Sequence, residues 1–170
     1  RERGKGLGRE ADGSTLVTGS FSGTASVGAA ISLTLSSGGN QDGFVAKLDS
    51  AGAFLWAVGF GGLSSDYGYG IAAQADGSTL VTGSFYNMAS FGPAISLTSS
   101  GGNEAFVAKL DSAGAFLSAV GLGGPGSDDG SGITAQADGS ATVVGTLGCQ
   151  RIGVSQSCES TSLGGTTLTL

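Results

Sequence analysis

The stretch ADGSTLVTGSF at 11–21 returns unchanged at 75–85, and a looser copy, ADGSATVVGTL, runs over 137–147. The copies lie 64 and 62 residues apart, so the chain is an array with a period of about 63. Nothing else in the sequence limits the fold as strongly. A unit of this length that cannot bury its own apolar surface has to stack on its neighbours. Aligning the copies divides the chain into units 4–67, 68–129 and 130–170.

Each unit opens on a short apolar element: GKGLGRE, GYGIAAQ (68–74) and GSGITAQ (130–136) fall on one another. An Asp-Gly pair follows in each: Asp12 with Gly13, Asp76 with Gly77, Asp138 with Gly139. Asp bonds its own backbone and Gly takes positive φ, which marks a hairpin turn. The β-branched run after it, STLVTG in the second unit, predicts a second strand. A Ser/Thr/Gly-rich connection carries a short β-prone piece (31–34 and 95–98). FVAKLDSAGAFL then appears at 44–55 and again, identically, at 106–117. Its apolar residues alternate with a period of two. Gly52 and Gly114 occupy a left-handed turn position between this strand and a fourth, which Gly61 and Gly62 break in the first unit. Lys47 and Lys109 share a strand face with Asp49 and Asp111, and read as ion pairs or snorkelling side chains.

Four antiparallel strands in two hairpins, repeated with no helical period, predict an all-β chain of β-propeller blades, each a four-stranded antiparallel sheet. Closed propellers have ~4–8 blades; the two full units and a partial one give an incomplete propeller of about 2.5–3 blades. Leu170 aligns with Thr98, which predicts a last unit cut short before its FVAKLD strand. That alignment also places an insertion in unit three, and Cys149 and Cys158 both fall within it. A disulfide closing this loop is the expected state, worth roughly 2.5–3 kcal/mol in the chain-entropy model and pointing to an oxidising compartment. Two free thiols are the alternative. An isolated segment of this kind is expected to expose strand edges that pair or aggregate.

The strand Gly70-Ile71-Ala72, the turn Asp76-Gly77, the run Val81-Thr82-Gly83-Ser84-Phe85, FVAKLD at 106–111 and Gly123-Gly124 resemble the bacterial seven-bladed β-propeller repeat (SBBP). The Leu55-Trp56 pair fits the pattern too, whereas unit two has Ser118 in place of Trp56, which argues against an irreplaceable core anchor there. The resemblance covers nearly the whole chain. It implies a secreted or cell-surface protein, some relatives being S-layer-like, and no shared catalytic residues.

The chain has no His, which removes Ser-His-Asp triads, Cys-His pairs and His-based metal sites. GYGIAA fits a dinucleotide fingerprint only superficially, because an Asp-Gly turn follows where a helix should open. Asp42, Asp66, Glu104, Asp128 and Asp129 lie in Gly/Ser loops. Such loops offer oxygen ligands to Ca²⁺, but no EF-hand spacing is present and turn residues are the preferred reading. Four of seven basic residues fall within the first ten positions, an expected disordered end. Beyond them three basic residues face eleven acidic ones, which disfavours nucleic acid as a partner. The uncharged stretch 13–41 contains 11 Ser or Thr among 29 residues and is no membrane span.

These readings converge on a non-catalytic extracellular or cell-surface scaffold and interaction module, with no catalytic residue, metal or cofactor assigned. Expected partners are further propeller blades, in the same chain or by self-association, and a protein or glycan read by the variable loops. The alternative is part of a propeller hydrolase or lyase whose active residues lie in other blades. An open β-solenoid adhesin requires a shorter period than the one observed.

Overall fold

The computed structural model describes residues 3–27, 31–34, 39–148, 161–162 and 166–169. They form an all-β fold of antiparallel sheets. The middle unit shows the plan. Strands β7 (Tyr67–Ala73), β8 (Thr79–Phe85), β11 (Glu104–Leu110) and β12 (Phe116–Leu122) make a four-stranded sheet ordered β12-β11-β8-β7. The first unit repeats it with β1 (Arg3–Arg9), β2 (Thr15–Phe21), β5 (Asp42–Leu48) and β6 (Phe54–Gly62). In the third, β13 (Asp129–Ala135) pairs with β14 (Ser140–Leu147). The connection holds a strand pair where the sequence suggested a single β-prone piece. These hairpins are β3 (Thr24–Val27) with β4 (Ile31–Thr34), and β9 (Met88–Phe91) with β10 (Ile95–Thr98).

Three further expectations give way to the structure. The basic first residues are an inner strand, not a loose end: Arg3–Arg9 pairs along β2 from Arg3 with Ser20 to Arg9 with Thr15. Its alternate glycines let the strand lie directly against β7, where a Cβ on Gly6 would come within 2.8 Å of the Tyr69 carbonyl oxygen. The chain end does not retrace β10. Strands β15 (Thr161–Ser162) and β16 (Thr166–Thr169) both pair with β14, and β16 sets Leu168 opposite Ala141. In the middle sheet Leu110 stands opposite Thr79, one repeat earlier. A β-branched segment thus fills the edge that FVAKL fills elsewhere, because β14 offers an open ladder there. Lastly, Lys47 and Lys109 do not pair with Asp49 and Asp111. A register shift after each lysine bends the strand into the turn, where both aspartates accept backbone N–H groups. Lys47 meets Glu10 at 2.8 Å and Lys109 meets Asp76 at 3.9 Å.

The sheets stack face to face. Leu16, Val45 and Phe60 of the first enter one core with Ile71, Val81, Phe85, Phe106 and Leu110 of the second and with Phe91 of hairpin β9–β10. Phe60 stacks on Phe91 with centroids 5.2 Å apart and meets Phe106 edge-on at 5.1 Å. Leu80 and Val107, on the opposite face of the second sheet, pack with Ile133, Ala141 and Val143 of the third. Burial on both faces explains why all seven residues of β8 are buried. Hairpin β9–β10 also reaches back to the first sheet, pairing Ser90 and Ala89 with Gly61 and Gly62.

Inner strands approach so closely that side chains are excluded between them. A Cβ on Gly70 would lie 2.8 Å from the Gly132 Cα and 3.0 Å from the Ile133 nitrogen, both rigid backbone. On Gly132 it would meet only the Val144 methyl at 3.2 Å. Urea denaturation should therefore show Gly70→Ala losing about 1–3 kcal/mol, and Gly132→Ala clearly less. Equal losses would contradict the inner-strand contact.

Candidate functional site

Four groups of residues stand out in the structure. The Asp-Gly turns all lie at one rim. Gly13, Gly77 and Gly139 have φ of 86°, 81° and 86°, and each donates its N–H to the residue three before it, with a matching bond back from that residue to the following serine carbonyl. This is a type I turn followed by a left-handed glycine, a three-residue hairpin loop. Asp12 accepts the Ser14 N–H at 2.8 Å, Asp76 that of Ser78 at 2.9 Å, and Asp138 that of Ser140 at 2.9 Å. The serine hydroxyl first, then its N–H, hold each carboxyl below the usual carboxylate range. These aspartates shape turns. Gly52 and Gly114 sit at φ 84° and 87° in the turns that follow β5 and β11. Cys149 and Cys158 lie outside the described residues.

Trp56 shows what a repeat position can do when its neighbour is present. It is half-buried on β6, and its Nε1–H donates to the Ser112 carbonyl of the next sheet's turn at 3.0 Å. A Cβ on Gly114 would lie 2.8 Å from its ring. Trp56 packs against the edge of the core and also staples one sheet to the next. Ser118 stands at the same position one repeat later. Gln74 makes a second such bridge, donating Nε2–H to the Gly139 carbonyl at 2.9 Å. Glu10, its counterpart, has no donor to give Gly77, and turns to Lys47 instead. A cleft opens at that point, lined by Glu10, Asp12, Gln74 and Gly77 among others.

At the opposite rim, Asp66 and Asp128 are fully buried ahead of β7 and β13. Asp66 accepts N–H bonds from Gly62 at 2.9 Å and Tyr86 at 3.3 Å. Asp128 accepts from Gly124 and Gly148, both at 2.9 Å. Each carboxyl thus ties the linker between two sheets to the end of a second strand. Burial pushes Asp66 up to about 7, over the opposing pull of the Gly62 and Tyr86 N–H groups, and the charge of Asp42 adds to it. Glu104 binds the Ser100 N–H and hydroxyl. Among the described residues no three His, Cys, Asp or Glu side chains gather into a metal-binding group.

Sequence reasoning missed the inner-strand bulges. The register slips between Gly4 and Gly6, Gly68 and Gly70, and Gly130 and Gly132. The extra residue is Lys5, Tyr69 or Ser131, standing outside the ladder as bulge residues do. Tyr67 and Tyr69 lie parallel with centroids 5.8 Å apart, and the Lys5 ammonium sits 4.2 Å from the Tyr69 centroid and 5.2 Å from that of Tyr67. Lys5, Tyr69, Asp129, Ser131 and Thr146 line a depression of about 510 Å³. The G-x-G pattern recurring in every unit was the available signal.

No helix among the described residues is long and apolar enough to cross a membrane. Comparison of the chain with protein-family models and with curated proteins finds no match.

Two measurements follow from this geometry. Below pH 3.8 Asp66 is protonated folded or unfolded; from there to about 7 only the folded chain keeps the proton. Its stabilising contribution is thus full below 3.8 and lost as pH rises through about 7. Asp66→Asn should gain in melting temperature relative to the parent across that interval, and a constant difference would contradict the burial. Gly114→Ala should cost more in urea than Gly52→Ala. Left-handed backbone strain, ~1–2 kcal/mol, is common to both, while only Gly114 also faces Trp56.

Proposed function

We propose that this chain is a non-catalytic extracellular or cell-surface β-propeller segment, a scaffold and interaction module completed by further units of the same repeat. One observation carries the reading. Ile71 and Leu7 occupy the same place in successive units, yet Ile71 is 6% exposed under the neighbouring sheet and Leu7 is 70% exposed. The difference extends over the face: Val81, Phe106 and Leu110 are buried, whereas Val17, Phe44 and Leu48 are half-buried. The far face of the third sheet behaves alike, with Val144 51% exposed where Thr82 is wholly buried.

A face that is apolar in every unit, and covered wherever a unit precedes it, fits a preceding unit as its partner. Hairpin β3–β4 agrees with this. Its Ser26 and Ala25 correspond to Ser90 and Ala89, which pair with the Gly61-Gly62 end of the previous sheet. The resemblance to the bacterial seven-bladed propeller repeat supports both the blade assignment and the surface location. Absence of His and the turn roles of the repeated aspartates support a non-catalytic role.

The test adds a unit. In the chain as it stands, Leu7→Asp should change stability by less than ~0.5 kcal/mol, as exposed substitutions do. With an extra copy of residues 68–129 joined ahead of Gly4, the same change should cost about 3 kcal/mol or more, because it buries an unpaired charge. Urea midpoints of the four chains decide it. Leu7→Asp equally harmless in both backgrounds would contradict the reading.

A further inference from the structure

We propose that the inner strands carry a carbohydrate site, in which Tyr69 forms the platform and Lys5, Asp129, Ser131 and Thr146 supply the polar rim for a neutral oligosaccharide. The first argument is the pattern of difference between repeats. The glycines that frame each bulge recur in every unit, and at Gly6, Gly68, Gly70 and Gly130 a Cβ would run into the neighbouring sheet. The residue held between them changes chemistry each time, from Lys5 to Tyr69 to Ser131. Two residues earlier, Tyr67 is replaced by Asp129. The fixed glycines hold the backbone, and the residue between them stands outside the ladder, where a ligand can reach it.

The chemistry of the walls selects the ligand. Lys5, Ser131 and Thr146 are exposed, and Tyr69 and Asp129 are half-buried, so none is consumed by a core. The two parallel tyrosines are held from one side by the Lys5 ammonium. An aromatic ring at a surface offers apolar area at one end and a polar group at the other. The C–H face of a sugar ring suits that area, and its hydroxyls, each donor and acceptor, suit a rim with an ammonium, a carboxylate and two hydroxyls. The single positive and single negative charge offset one another, so the site favours no net charge. A polyanion would also meet the acidic excess of the chain beyond its first ten residues. A cationic ligand would be repelled by the Lys5 ammonium, which sits 4.2 Å from the Tyr69 centroid. The depression, about 510 Å³, falls within the ~300–1,000 Å³ of small-molecule sites.

Calorimetric titration of the full chain with cellohexaose, xylohexaose and chitohexaose, and with a heparin hexasaccharide as the charged comparison, tests the site. At least one neutral probe should bind saturably. Tyr69→Ala should weaken it about tenfold or more, a loss of ~1.4 kcal/mol, while Tyr69→Phe keeps most of the affinity. Ser131→Ala and Asp129→Asn, at solvent-accessible positions, should each weaken binding and serve as the variants if Tyr69→Ala does not fold. The proposal is overturned if no neutral probe binds, or if binding is unchanged in Ser131→Ala and Asp129→Asn. Tighter binding of heparin, abolished by Lys5→Gln, overturns it too and marks an anion site. Failure here leaves the scaffold reading untouched, since that reading is decided by the Leu7→Asp comparison in chains with and without an added unit.

Discussion

The face-to-face contact of one small sheet with the next is what the structure depends on. Four strands of seven or so residues make a sheet with two apolar faces and no means of covering either. Leu16, Val45 and Phe60 are buried only because Ile71, Val81 and Phe106 lie across from them. At ~25 cal/mol per Å² of apolar surface removed from water, such contacts together outweigh any single hydrogen bond between the sheets. Close approach is the condition for that burial. Where the inner strands meet, Gly70 lies against the Gly132 backbone, and a side chain on Gly70 would wedge the sheets apart.

Repetition of sequence does not mean repetition of environment, and the differences are informative. Trp56 reaches the turn of the next sheet, and Ser118 stands where the same reach would be made one unit later. Gln74 bridges to Gly139, but Glu10 lacks the donor and is held by Lys47. Thr18 and Thr82 bond the carbonyls of Phe44 and Phe106 from beneath a covering sheet, while Val144 in their place faces outward. Side chains at the repeat's contact positions thus track which neighbour each unit has. The exposed ones are the positions at which the proposed further units would pack.

Much of the fold was legible in the sequence because its signals are local. Asp12 with Gly13, and Asp49 with Gly52, specify turns through their own side chains and backbone; the period of two in FVAKL specifies a strand. What escaped was set by distant partners. The hairpin β9–β10 docks through Ser90 and Ala89 on the edge that Gly61 and Gly62 of the preceding sheet leave open. The alignment of GKGLGRE with GYGIAAQ marks an opening element, but the four basic residues pointed to a loose end, and the contact with Tyr69 and Gly70 is set by another sheet. The last strand was misplaced by alignment: Thr166–Thr169 resembles β10 in composition, yet the vacant ladder of β14 decides its pairing. At the candidate site, the glycine frame was visible in each G-x-G, but a bulge is a property of two strands in register. Neither the tyrosine pair nor its lysine was readable from one strand.

Proton–proton contacts between Phe60 and Phe106 offer the most direct check of the stacking. The two rings sit on strands that share no ladder, and only face-to-face sheets bring their centroids to 5.1 Å. In a chain with selectively labelled phenylalanines, nuclear Overhauser spectroscopy should give strong cross-peaks from Phe60 to both Phe106 and Phe91. A folded chain with native β-sheet signals but no cross-peak between these rings would mean the sheets do not cover one another, and the account would fail.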